Sequence, residues 1–488
     1  MGRTGRMGSI GRMNRIEPPH PPRGMPETRI ALALLVLITI AAGGCVVGPD
    51  YKRPPAVVPD TFRAQTTTPE ATSLGDQTWW QVFPDSVLQS LIRDALRQNT
   101  DVGLAAARIL EAQAQLGITR ADQFPQVSAG VNVLGERPAA ALGFPSRNIG
   151  AVQIQGSVAW ELDFWGRYRR ATESARATLV ASEWARRAVL TTLISQVADA
   201  YFGLRALDRE LEVAQRTLES RQESLRLTEV REQGGVTSLV DVRQAEQLVY
   251  GAGGEIVTLE RQIEQQENFI SLLLARNPGP IARGLPLTDQ PQAADVPAGL
   301  PSALVERRPD IQQAEQQLVA ANAQIGVARS AYFPQIPLTA SGGFESTALA
   351  ALFAGSNAIW TAAVSATEPV FTAGRRRSQL ALAEARREEA AITYQQAIRQ
   401  SFREVADALI GYRKRREFRE QQTRLLASAQ DARRLAEIRY QGGATSYLEV
   451  LDADTRLFDA ELGLAEAQLS ELSAFVEIYR ALGGGWQG

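Results

Sequence analysis

The side chains able to react or to ligate are few and unevenly placed. One thiol, Cys45, and one imidazole, His20, serve 488 residues, and all four methionines (Met1, Met7, Met13, Met25) precede the thiol. Beyond Cys45 there is no imidazole to move protons, no second thiol, and no His, Cys or Met set for a soft metal. A single cysteine also forms no intrachain disulfide. Carboxylates remain. Glu449 and Asp452 stand three apart and so share a helix face, and Asp241 holds the place of Glu449 in an earlier, related stretch. Paired carboxylates give fixed negative charge and attract cations; acid–base catalysis would further need a globular pocket around them. No cofactor is called for. A net charge of −2 argues against nucleic acid as a partner, and 44% apolar with 22% charged residues fits a folded chain.

The chemistry Cys45 suggests is acylation. An apolar run, Ile30 to Ala42, follows Arg29 and leads through Ala41-Ala42-Gly43-Gly44 to the thiol. It is too short to cross a bilayer as a helix, and its basic flank and small-residue end fit a signal peptide. Small residues before a cysteine resemble a lipobox, in which the thiol is diacylated and becomes the first mature residue; Ala42 sits where leucine is usual. Residues 1–28 are rich in Arg and Pro, and a start at Met25 would leave a signal of ordinary proportions. Six Arg and two acidic residues precede Cys45, so the mature chain keeps 46 basic against 52 acidic residues, or −6.

The elements that must position these groups are written twice. Asp101-Val102 through Phe124-Pro125-Gln126-Val127 matches Asp310-Ile311 through Phe333-Pro334-Gln335-Ile336 at an offset of 209. Further on, Val197-Ala198-Asp199-Ala200 matches Val405-Ala406-Asp407-Ala408, and Gln233-Gly234-Gly235 matches Gln441-Gly442-Gly443, at an offset of 208. Each copy predicts a helix, two strands, a very long helix, a tight turn and a return helix. Residues 86–122 and 302–331 read as helices stopped by Phe-Pro, and the first long helix runs from Arg167 to Glu232. The return helices carry seven-residue repeats: Val242, Val249, Ile256, Ile263, Ile270, then Val450, Leu457, Leu464, Glu471, Ile478. Such a period predicts coiled-coil packing, and the alanine seam from Ala453 to Ala481 lets helix axes approach closely. In the second long helix, Arg415 and Arg419 replace the seam residues Leu207 and Leu211.

Between helices the period changes to two. Val127, Ala129, Val131 and Val133 alternate with polar or small residues, as do Val152 through Phe164; Ile336 to Phe344 and Trp360 to Ala366 repeat the pattern more weakly. One apolar face ending in Trp160, Phe164 and Trp165 fits a lipid-facing strand with an aromatic girdle. Four strands are too few to close a membrane barrel, whereas three chains would supply twelve. A soluble sheet packed on the coiled coil is the alternative.

The lipobox, Val47-Gly48-Pro49-Asp50-Tyr51-Lys52-Arg53-Pro54, the Glu306–Ile311 run and Arg-x-x-x-Gly-x-x-Ser at both turns together resemble the NodT/OprM branch of TolC-type outer-membrane factors. The resemblance implies a mainly α fold with a membrane β-barrel: an internally duplicated TolC-like homotrimer, its long helices forming a tunnel. It implies an exit duct for drugs or toxic solutes, anchored to outer-membrane lipid. The implied partners are a periplasmic adaptor (membrane fusion protein) and an inner-membrane pump of the RND type. Arg231, Gly234, Gly235, Ser238, Arg439, Gly442, Gly443 and Ser446 would form the periplasmic tips that meet the adaptor. Tyr440, Glu449, Asp452 and Asp241 would form the tunnel constriction, with Thr445 where the family has a restraining arginine. Val46 after the cysteine favours outer-membrane sorting. The expected divisions are a signal segment 1–44, a lipidated arm 45–85, repeats 86–276 and 302–482 joined by a linker 277–301, and a tail 483–488. An adaptor-like lipoprotein is the competing class; it would need a single hairpin and no alternating strands.

Overall fold

The computed structural model describes residues 46–65, 72–136, 149–290 and 296–486. Cys45 and the segment before it lie outside the described residues. The chain runs α1 (Ser86–Gln98), α2 (Thr100–Ala121), β1 (Gln126–Glu136), β2 (Ile149–Glu161), α3 (Arg167–Gln233), α4 (Leu239–Leu273), α5 (Pro301–Arg307), α6 (Pro309–Ser330), β3 (Pro337–Ser346), β4 (Ala358–Val364), α7 (Arg375–Gln441) and α8 (Tyr447–Ala481), after a one-turn helix at Trp79–Val82. The second half repeats the first: α3 and α7 have 67 residues each, α4 and α8 have 35 each. At 1.5 Å per residue the long pair spans roughly 100 Å.

The two helices expected over 86–122 and 302–331 are each broken. Asn99 turns extended (ψ 135°), and its side-chain oxygen accepts from the Asp101 and Val102 amides while its amide donates to the Leu273 carbonyl. It ends α1 and caps α2. In the second copy Arg308 is extended because Pro309 follows it, and Pro309 then serves as the first residue of α6. The strand expected through Phe164 ends at Glu161, with Leu162 buried.

The core sits where both copies meet halfway along the molecule. Phe83, Tyr201, Phe202, Phe475 and Tyr479 pack edge to face around it. Beside them Asp85 is buried. Burial opposes its charge, yet hydrogen bonds from Gln290, the Leu285 amide, Tyr201 and the Val87 amide hold the carboxyl below its usual range. The heptad seams are buried at both ends (Val242, Ile263, Ile270; Val450, Glu471, Ile478) and half-buried between them, and the charged Glu471 has a partner. Glu471 is sealed against Arg419, which stands where the first copy has Leu211, just as Glu471 stands where it has Ile263. An apolar contact in one hairpin is thus an ion pair in the other.

The strands form one antiparallel sheet in the order β1-β2-β3-β4. Register places like with like: Val131 faces Ile154, Ile154 faces Phe344, Val158 faces Ala340, and Leu338 faces Val364. The alternation read from the sequence therefore becomes one apolar face across all four strands. The other face carries Ser128 against Ser157 (2.7 Å) and Asn132 against Gln153. Among the described residues nothing pairs with the outer edges of β1 and β4.

Candidate functional site

At the far ends of the long helices the chain reverses through Arg-(x)3-Gly-(x)2-Ser. Gly235 and Gly443 are left-handed (φ 70° and 71°), and the amides of Val236 and Ala444 return to the carbonyls of Arg231 and Arg439 at 2.9 Å. Only the second glycine of each pair needs that backbone; Gly234 and Gly442 lie at φ −80° and −78°. Ser238 and Asp241 cap α4 reciprocally. Asp241 also accepts from Thr237, and these hydrogen bonds hold its carboxyl below the usual range. In the second copy Ser446 makes no side-chain cap; Thr445 donates to Glu449 instead. Around the first turn Val230, Val236, Leu239 and Val240 are exposed.

The residues expected at the constriction lie just behind these turns. Glu449 meets Arg439 at 2.8 Å and Asp452 meets Arg456 at 2.8 Å, so each carboxylate has a cation within the chain. Tyr440 lies 5.1 Å from the Tyr447 ring and 4.9 Å below the Arg231 guanidinium, joining the two hairpins at their tips. A second joint lies deeper and gave no sign in the sequence. Arg221 is buried against Asp454 (2.8 Å) and donates to the Leu248 carbonyl. The duplication hid it, because Ala429 stands for Arg221 in the second copy and Glu246 for Asp454 in the first.

The halves differ in what covers them. α6 lies between α3 and α7, whereas α2 packs chiefly on α3. Leu318 and Ala323 of α6 are buried; their counterparts in α2, Ile109 and Ala114, are half-buried and exposed. Leu110 and Ile118 stand 65% and 62% exposed, and on α7 Ile392 is also open.

The segment after Cys45 is strapped onto α6. Gly48 (φ 111°) passes so close to Gly326 that a Cβ on Gly48 would meet the Gly326 Cα at 2.5 Å. Arg170 of α3 pairs with Asp50 at 2.8 Å, Asn322 donates to the Pro49 carbonyl, and Tyr51 and Arg53 both bond the buried Glu315. Two motifs that carried the family resemblance thus meet in space, because Arg53 also pairs with Glu306. In the same run Arg307 pairs with Asp76, and Arg308 with Glu404 and the Ala481 carbonyl.

Among the described residues no helix is long and apolar enough to cross a membrane. The family model described as "Outer membrane efflux protein" matches residues 91–276 and 300–484. The toluene efflux pump outer membrane protein TtgC of Pseudomonas putida is 37% identical over 470 residues, covering 95% of this chain and 96% of that one. SilC of Salmonella typhimurium, named a probable outer membrane lipoprotein, is 33% identical over 94% of this chain and 99% of its own length. The open-state crystal structure of the Neisseria gonorrhoeae outer membrane channel MtrE superposes with a TM-score of 0.84 at 32% identity, covering 91% of this chain and 99% of that one.

Proposed function

The chain belongs to the outer membrane efflux protein family, and on that premise we propose that three copies close side by side into one tube. The protein is the outer-membrane channel component of a tripartite efflux system. It is a passive duct for small solutes rather than an enzyme. The observation that carries the trimeric reading is the contrast between α2 and α6. α6 is covered by its own α7; α2 leaves the equivalent apolar residues open, and a neighbour's α7 covers them in the closed ring. Closure also pairs β4 with the next chain's β1, giving twelve strands with the apolar face toward lipid and the polar face toward the lumen. Edges left open in hydrocarbon would cost several kcal/mol per unpaired group.

The finer assignments follow from the same reading. Cys45 carries the lipid anchor, residues 45–85 form the arm, and the two repeats form the wall about the linker at 277–301. The tips at Arg231–Ser238 and Arg439–Ser446 dock a periplasmic adaptor, which links the duct to an RND-type pump; the exposed Val230, Val236, Leu239 and Val240 suit such a contact. Glu449 and Asp452, with Tyr440 beside them and Asp241 capping the neighbouring helix, line the tunnel mouth. The lack of His or Met beyond Cys45 favours organic cargo over soft metal ions. The adaptor-like alternative is set aside by the two hairpins and the four-stranded sheet.

The duplication supplies a test. Gly156 of β2 faces Gly342 of β3, and the offsets of 208 and 209 carry this pair onto Val364 and Val133. Val133→Cys combined with Val364→Cys should give a disulfide-linked trimer on oxidation, and neither single variant should. A double variant that stays monomeric under oxidation refutes the ring.

A further inference from the structure

A cavity of about 600 Å³ opens where α3, α6 and α7 meet the sheet. Four guanidinium groups line it, from Arg167, Arg375, Arg376 and Arg386, above apolar surface that includes Phe333 and Leu382. Arg167 is paired with Glu161 and Arg376 with Glu368. Arg375 and Arg386 have no carboxylate partner among the described residues.

The cavity opens on the polar side of the wall. Gln335, which lines it, is an even number of residues from Thr339 and Ser341 and so shares their face of the strand. Glu161, the partner of Arg167, shares the face of Gln155 and Ser157 by the same parity. On α6 the lining residues Gln324 and Ala328 lie about 200° around the helix from Asn322 and Gly326, which hold the arm. Arm and cavity thus lie on opposite sides of one helix. In the tube proposed above, on which this inference rests, the cavity faces the lumen just below the barrel.

We propose that this cavity is a luminal subsite for amphiphilic anions, small solutes bearing one sulfonate, carboxylate or phosphate group on an apolar ring or short chain. The unpaired guanidinium groups of Arg375 and Arg386 take the anionic head through charge-assisted hydrogen bonds. Phe333 and Leu382 take the apolar body. The volume lies within the usual range for small-molecule sites. Repeated three times, the unpaired arginines form a cationic belt that raises the local concentration of such solutes on their way out.

The test uses the full-length protein in a non-ionic detergent and equilibrium dialysis against labelled 1-naphthalenesulfonate, above a micelle blank. Wild type and the control Arg377→Gln, whose side chain does not line the cavity, should bind saturably. The double variant Arg375→Gln/Arg386→Gln should bind on the order of tenfold more weakly. The cation 1-naphthylmethylammonium should not compete. In planar bilayers the sulfonate should reduce wild-type conductance and leave the double variant unaffected. Equal binding by wild type and double variant, or equal competition by the cation, overturns the subsite while leaving the channel reading intact. Binding by a protein that conducts nothing overturns its place in a lumen.

Discussion

Gly117 and Gly326 hold the same place in two copies of one helix, and replacing each by alanine separates intrinsic helix propensity from packing. On a bare helix the change stabilises by about 0.5–1 kcal/mol. Within the chain nothing lies within 4 Å of a Cβ on Gly117, so in the single chain Gly117→Ala should gain about that much. At Gly326 the new Cβ would stand 2.7 Å from Arg170 Cγ and 2.8 Å from the Val47 carbonyl oxygen. If Arg170 yields, its bonds to Val47, Gly48 and Asp50 are lost; if the arm yields, the Asn322–Pro49 bond goes as well. Three such bonds at about 0.5–1.5 kcal/mol each outweigh the helix gain and leave a net loss of about 2 kcal/mol in arm docking. That is roughly a 30-fold rise in the undocked fraction, since 1.4 kcal/mol corresponds to tenfold. Because only the arm detaches, a global melt would miss it. Trypsin cleavage after Lys52 reads the open population directly, the Arg53–Pro54 bond being resistant. Gly326→Ala should be cut roughly 30-fold faster than wild type, by the same conversion, and Gly117→Ala at the wild-type rate. Equal protection of the two variants refutes the docking argument.

At the turns, Gly235→Val or Gly443→Val places a β-branched residue at positive φ, a strain on the order of 1–2 kcal/mol; cross-linking to the adaptor should fall while trimer yield holds. Gly234→Ala should be silent in both assays. Glu449→Gln with Asp452→Asn should weaken block by multivalent cations in bilayer recordings, and wild-type block would assign both residues to the solvated surface. Glu210 is pushed up to about 7 by burial and by the nearby Glu466 and Glu255. A carboxyl with a raised folded value favours the native state most below its ordinary range near 4.5 and loses that contribution as pH rises through about 7. Thermal stability should therefore fall between those values. Glu210→Gln should flatten the slope and add on the order of 1 kcal/mol at pH 8, discounted for partial solvent screening.

Much of the architecture was legible because it is local and written twice. Helix lengths, turn positions and strand parity follow from short-range periodicity, and the fixed offset carries each reading from one copy to the other. What escaped rests on contacts between distant parts of the chain. Asn99 reads as one polar residue in a helical run, and only its bond to the Leu273 carbonyl shows why the helix breaks there; the cap signal of Asn followed by Asp101 was available. The Arg221–Asp454 joint and the Glu315 clamp on the arm link residues 233 and more than 260 positions apart, with no counterpart in the other copy. Glu471 looked like a defect until its partner was placed.

That partner has a mechanical meaning. At the equivalent places in the first hairpin Leu211 and Ile263 belong to the apolar core, where a shift costs packing but strands no charge. Glu471 is buried against the half-buried Arg419, and a slip of one residue would strand the carboxylate away from water. At this level one hairpin of each chain is keyed by charge, like a spline on a shaft; the other is keyed nearer its tip, where Arg221 of α3 holds the Leu248 carbonyl of α4. An axial shift of α8 along α7 must first break the Arg419–Glu471 pair, whereas a shift of α4 along α3 at the same level breaks no ion pair among the described residues.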